Sequence, residues 1–215
     1  MNPDDPSITR YPTPIRLKAF ETPADERKQL IEQKIHEIMD ILGLDLSHPS
    51  IKKTPFRISK MFVDEIFSGL NPAHFPSITL HEQKVPQSEV VLVKNISFVS
   101  FCEHHFVPMI GKAHVAYIPK DKIIGLSKVN RIVHFFSKQP QVQERLTAQI
   151  ADCLSLLLNI EDVAVFMKAK HFCVAARGVE DDESETETCV LKGKFQNDSL
   201  LRAEFMQSIH SPSKE

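Results

Sequence analysis

The chain has 215 residues, a formal net charge of -2 at pH 7, 42% hydrophobic residues and 25% charged residues. That length sets the expectation of one ordinary domain with a core of its own and room for an N-terminal appendage. The near-neutral charge argues against a nucleic-acid-binding protein, which is usually basic overall, but leaves open a local basic pocket for an anion. No apolar run approaches the roughly eighteen residues of a membrane span. Residues 1–30 lack the basic start and apolar block of a signal peptide. The expected setting is cytoplasmic, where four cysteines are not a disulfide framework and Cys beside His points to metal ligation.

Residues 1–22, rich in Pro, Asp, Ser and Thr, read as a mobile or partner-dependent tail. Thr22-Pro23 has the form of an N-cap followed by Pro at the first helical position. Leu30, Ile31, Ile35, Ile38, Met39 and Leu42 then recur at helical spacing up to a stop at Gly43. A second helix is expected from Thr54-Pro55 to near Gly69. From about Ser77 the period changes to two, and "ITLHEQKV", "VVLVKNISFVSF" and "KAHVAYIPKD" read as strands. "GLSKVNRIVHFFSKQP" is helical up to Pro140. "QVQERLTAQIADCLSLLLNI" is a long amphipathic helix with Val142, Leu146, Ile150, Leu154 and Leu157 on one stripe. "VAVFMKAKHFCVAAR" returns to strand, an acidic loop "EDDESET" follows, "TCVLKGKF" is a last strand and "SLLRAEFMQSI" a closing helix. Two helices inserted between antiparallel strands make an α+β domain, with the helical N-terminal segment as an extension.

The stretch "SFVSFCEHHFVPMIGKAHVAYIPKD" breaks its apolar alternation with Cys102, Glu103, His104 and His105. Cys102 and His105 have C-x2-H spacing, and in a tight turn both can face one metal. Much later, "KHFCV" brings His171 and Cys173, which share a face if the segment is a strand. A Cys, His, Cys trio suits Zn2+, and three protein ligands leave a fourth position for water. Two unrelated buried thiols remain the plain alternative. So does a closed Cys2His2 site taking His171 or His104 as fourth ligand. Cys153 reads as a core thiol, Cys189 as structural, and His114 and His134 as ordinary half-exposed histidines.

Ser127 precedes "KVNRIVHFF" as a natural N-cap, and a helix N-terminus is a ready anion site. Lys128 and Arg131 share a face of that helix, and Arg177 offers a bidentate fork. Each cation alone reads equally as a solvated surface group.

The blocks "CEHHFVPMIGKAHVAYIPKDKIIGLSKVNRIVHFFSKQPQVQERLTAQI", "HFCVAARG" and "TPFRISKMFVDEIFSGL" resemble the GTP cyclohydrolase I family over roughly residues 25–210. This family catalyses the first step of folate and pterin synthesis. The resemblance implies conversion of GTP to 7,8-dihydroneopterin triphosphate with release of formate. It makes Cys102, His105 and Cys173 the ligands of Zn2+. His171 becomes the proton donor to the purine, and His104 serves opening of the ribose. It matches Glu144 to the carboxylate that reads guanine, with Gln143 reading a further polar edge. Ser127 falls in both the catalytic and the substrate-binding set. Lys128, Arg131 and Arg177 meet the triphosphate, and Arg57 and Lys60 make phosphate or intersubunit contacts. The family's tunnelling fold, a four-stranded antiparallel sheet with two antiparallel helices between its strand pairs, implies a tail at 1–22, a helical extension at 23–75 and a catalytic domain at 76–215. It also implies a toroidal homodecamer with active sites between subunits, and neither nucleic-acid nor membrane partners.

Two departures stand out. Ala175 occupies a position where some relatives carry Lys. The loop holding Glu180, Asp181, Asp182, Glu183, Glu185 and Glu187 is unusually acidic, and is expected to face solvent. The rival readings are an inactive zinc-binding relative and the nitrile reductase of the queuosine pathway, which uses a Cys nucleophile with NADPH.

Overall fold

A computed structural model describes residues 9–82 and 89–211. Helix α1 (Ala24–Ile41) begins after Pro23, one residue later than the Thr22 cap expected from sequence. It ends as expected at Gly43, whose φ of 81° is costless only without a Cβ. Helix α2 (Thr54–Lys60) takes Pro55 in its first turn, where the missing N–H breaks no bond. It runs on into a wide turn at Met61–Ile66 and a short one at Ser68–Leu70. Gly69 then touches the C-terminal end of a later helix: its N–H donates to Lys138 O at 2.9 Å. A Cβ there would strike the Phe135 carbonyl.

Strand β1 (Leu80–Glu82) pairs with β4 (Lys122–Ile124). It is shorter than expected, and residues 83–85 of that reading lie outside the described residues. The main sheet contains β2 (Val91–Cys102), β3 (Pro108–Tyr117), β5 (Pro140–Gln141), β6 (Val163–His171) and β7 (Thr186–Leu191), in the order β5-β2-β3-β6-β7. All neighbours are antiparallel except β5, a two-residue parallel addition to β2. Helices α3 (Leu126–Ser137) and α4 (Gln143–Leu158) lie between the β2-β3 and β6-β7 pairs in sequence. The molecule is thus mixed α+β with antiparallel sheets.

Both faces of the sheet are covered, which explains why β6 reads as unbroken apolar sequence. Val163, Val165 and Met167 join Ile132, Phe136, Leu146, Ile150 and Leu154 of α3 and α4 in one core. Ala164 and Phe166 point the other way, to Phe195 of α6 (Lys194–Asn197) and to Phe205 and Ile209 of α7 (Ser199–His210). Asp198 caps α7 by accepting from the Leu200 and Leu201 N–H groups.

Three sequence expectations are corrected. The strand through "KHFCV" stops at His171, and Phe172–Ala175 form a helical turn, α5, so Cys173 does not follow strand alternation. The cap of α3 is Gly125, and Ser127 sits inside the first turn, exposed. His114 is buried, 6% exposed, because β3 is covered on both faces. Cys153 is a core thiol as expected, while Cys189 is exposed on edge strand β7.

Candidate active site

The ends of three strands meet at one edge of the sheet: Phe101 pairs with Pro108, and Met109 with His171. Between β2 and β3 the chain turns tightly. The Cys102 N–H donates to Val107 O at 2.9 Å, and the Phe106 N–H to Cys102 O at 2.8 Å. Phe106 closes the turn with a φ of 53°, and its ring packs on Phe67 at 4.9 Å and Phe62 at 6.2 Å between centroids. The wide turn after α2 thereby seats Glu103, His104 and His105 outside the strand alternation that would have separated them.

Cys102 and Cys173, 71 residues apart by number (173 − 102), have their thiols in hydrogen-bonding contact. Burial, then the Cys102 thiol, pushes the Cys173 thiol up, and Arg177 pulls the other way. Two unoxidised thiols side by side in a desolvated turn are a donor set that a soft divalent cation stabilises as thiolates. Among the described residues, no group of three or more His, Cys, Asp and Glu side chains is placed to hold a metal. The reason is visible at His105, whose Nε2 faces Arg177 Nη1 at 3.1 Å. The imidazole beside Cys102 is instead His104, with Nδ1 3.6 Å from Sγ. The sulfurs converge; His105 does not join them here.

The first turn of α4 borders the cluster. Gln143, expected to read substrate, is 1% exposed and fully engaged inside the protein. Its Nε2 donates to Met167 O at 3.1 Å, Thr186 O at 2.9 Å and Thr188 Oγ1 at 3.1 Å. Carbonyls only accept, so the amide's orientation is settled and Oε1 faces His171 Nε2 at 2.7 Å. His171 therefore carries its proton on Nε2, and Nδ1 of the neutral ring is left as the acceptor. Burial holds His171 below the usual imidazole range, while the nearby Glu144 carboxylate pulls it up. Glu144 itself is exposed in the same helical turn, free to meet a ligand.

The cations divide. Arg177 is exposed beside His105. Arg57 and Lys60 are exposed on α2, one turn before the Phe62 contact with the site turn. Ser127, Lys128 and Arg131 lie elsewhere. His134 on α3 reaches Ser97 O at 3.0 Å, and the five residue steps from Ser97 to Cys102 span about 17 Å of strand. Arg131 and Lys128 precede His134 on α3, farther still from the thiols. Arg131 lines a separate cleft with Ser68, His74 and His134.

Sequence reasoning assigned nothing to Arg145, a largely buried cation bonded to the turn. Its Nη2 donates to Glu103 Oε2 at 2.5 Å and its Nε to Gln141 Oε1 at 3.0 Å. The only sequence hint was the i,i+4 spacing of Gln141 and Arg145. Of the acidic residues expected in one loop, Glu187 lies instead on β7 opposite Lys168, and Glu185 and Glu187 pair with Lys168 at 2.7 and 3.5 Å, both well exposed.

The model of the family described as GTP cyclohydrolase I matches residues 31–210. A protein named GTP cyclohydrolase 1 from Tolumonas auensis is 53% identical over 199 residues, covering 89% of this chain and 92% of that one. Proteins of the same name from Citrobacter koseri and Salmonella arizonae are each 52% identical, covering 92% and 93% of this chain and 89% and 90% of theirs. Among solved structures, one titled as the archaeosine synthase QueF-Like in the apo form shares 17% identity at a TM-score of 0.40, covering 49% of this chain and 94% of that one. With a family model spanning most of its length and relatives at half identity across nearly all of it, the chain belongs to the GTP cyclohydrolase I family.

Proposed function

We propose that this protein hydrolyses and rearranges GTP to 7,8-dihydroneopterin triphosphate with release of formate, the first step of pterin and tetrahydrofolate synthesis. The observation that carries this reading is the meeting of Cys102, Cys173, His104, His171 and Glu144 at one end of the sheet, in a chain of this family. Zn2+ would be held by Cys102, Cys173 and His105, the last released from Arg177, and would supply an activated water for attack at C8 of guanine. The Glu144 carboxylate accepts from N1–H and the exocyclic amine, donors that adenine lacks in this arrangement. His171, held by Gln143 with Nδ1 unprotonated, would take the proton released by the attacking water and return it to the purine nitrogen that leaves as the C8–N bond breaks. His104 serves the ribose oxygen in the later rearrangement. Closure of the diaminopyrimidine then forms the second ring.

Ser127, Lys128 and Arg131 meet the triphosphate with Arg177 and Arg57. Their distance from the thiols along one chain supports a site shared between copies, α3 of one completing the cysteine turn of another. Among the described residues β7 has a single strand neighbour, so its outer edge is open to pair with a further copy. Both features fit a toroidal decamer of the tunnelling fold, with the domain bounds 1–22, 23–75 and 76–215. No helix of the described residues is long and apolar enough to cross a membrane, and free cysteines suit a cytoplasmic setting. Incubating purified protein with GTP and Zn2+ tests the reading: formate and an oxidisable pterin fluorophore are expected. Their absence from a zinc-loaded, intact assembly overturns it.

A further inference from the structure

The part of the N-terminal tail that the structure describes does not stand apart from the domain. Thr9 and Thr13 are buried against it, at 7% and 8% exposure. Thr13 Oγ1 donates to Gln139 Oε1 at 2.6 Å, and Gln149 Nε2 donates to Tyr11 O at 3.0 Å and, more weakly, to Thr13 Oγ1 at 3.4 Å. From Gln149 an ordered hydrogen-bond chain continues inward. Gln141 Nε2 donates to Gln149 Oε1 at 2.7 Å, and Arg145 Nε donates to Gln141 Oε1 at 3.0 Å. Arg145 Nη2 then reaches Glu103 Oε2 at 2.5 Å, and the Glu103 N–H returns to Gln141 O at 2.9 Å.

The direction of every link is determined. Tyr11 O and Phe136 O accept only, so the Gln149 and Gln141 amides each have one possible orientation. Gln139, Gln141 and Gln149 are at most 5% exposed, so the links are little weakened by competing water. The far end is the turn itself: Glu103 is covalently bound to both Cys102 and His104. His104 is the imidazole whose Nδ1 lies 3.6 Å from the Cys102 sulfur.

We infer that Glu103 and Arg145 are positioning residues for His104, and that the docked segment Tyr11–Thr13 anchors the same hydrogen-bond chain, so that the N-terminal segment helps set turnover. This rests on the GTP-converting reading of the site. The segment lies at the opposite end of the chain of bonds and supplies no group to the reaction. Its influence runs through the orientation of the turn, as outer partners orient metal-site groups elsewhere.

The test uses the full-length protein with Glu103→Gln, Arg145→Lys, Thr13→Val and the double variant Thr13→Val/Glu103→Gln. GTP turnover, zinc content, assembly size and melting midpoint are read on each. Glu103→Gln and Thr13→Val are near-isosteric, which keeps the test alive if Arg145→Lys fails to fold. Expected are a kcat loss on the order of 10–100-fold for Glu103→Gln, and about 2–5-fold for Thr13→Val. KM, zinc and size should be unchanged, and the double variant should be less than multiplicative. Thr13→Val with parental kcat and only a lower midpoint overturns the anchoring role. Multiplicative losses overturn the continuity of the chain, and loss of zinc in Glu103→Gln overturns positioning in favour of metal retention. A parent protein that does not convert GTP instead overturns the functional reading, which separates the two failures.

Discussion

Gln143→Met paired with Gln143→Glu distinguishes a side chain that reads substrate from one that holds a catalytic imidazole. In the parent, one amide serves the carbonyl of buried Met167, that of exposed Thr186, a hydroxyl and His171 Nε2. Methionine fills similar volume but leaves Met167 O and Thr186 O without their donor. At about 1–3 kcal/mol for a buried group left unpaired, with the exposed Thr186 carbonyl turning to water, the loss is about 1–3 kcal/mol. For a chain of this size that lowers the thermal midpoint by about 2–12 °C. Glutamate loses the same donors and buries a carboxyl against those carbonyls, so its midpoint falls at least as far, but it keeps an oxygen facing His171 and the imidazole stays held. Turnover should therefore fall much further in Gln143→Met than in Gln143→Glu, with KM for GTP little changed in either. Differential scanning calorimetry and steady-state kinetics on the same preparations give both readouts. A Gln143→Met protein with parental midpoint and kcat but a raised KM would refute this reasoning and return Gln143 to the substrate.

Four further outcomes are expected. His171→Ala keeps zinc and assembly but loses about 10²–10⁴-fold in turnover; zinc loss with dissociation, seen by metal analysis and light scattering, would make His171 a structural ligand. His105→Asn lowers zinc content while His104→Asn retains zinc and loses turnover, and the reverse pattern would make His104, which lies beside Cys102 here, the ligand. Glu144→Ala folds normally but binds GTP more weakly by about 2–5 kcal/mol, checked by calorimetric titration. His114 is buried, and desolvation, then Lys94 and His210, hold its pKa below the ordinary 6.5. The unfolded chain then binds the extra proton first, so stability is full above about pH 6.5 and declines as pH falls toward the lowered folded value. His114→Gln should flatten that slope in denaturant titrations, and an unchanged slope would locate the effect elsewhere.

Local chemistry was enough for the order and kind of most elements. Pro55 and Gly43 punctuate helices because one lacks an N–H and the other a Cβ. The unbroken "VAVFM" of β6 and the period-3.6 stripe of α4 follow from what each must bury. The Cys102, His104, His105, His171 and Cys173 constellation was legible because such residue types in these blocks match one family. Four matters lay beyond it. Cys173 entered a helical turn, which changed the face it shows, because the strand's partner β3 begins at Pro108 and pairing stops at His171. Gln143 became a holder of His171 because its partners, Met167, Thr186 and Thr188, come from strands that reach α4 only when the sheet is assembled. Arg145 acquired its carboxylate, and Thr13 its amide partner, from residues 42 and 126 positions away. Lys128 and Arg131 were separated from the thiols because α3 starts far along the sheet from Cys102. Period and punctuation act between near neighbours and are written in the chain, whereas register, burial and long-range hydrogen-bond partners exist only once distant segments share a surface.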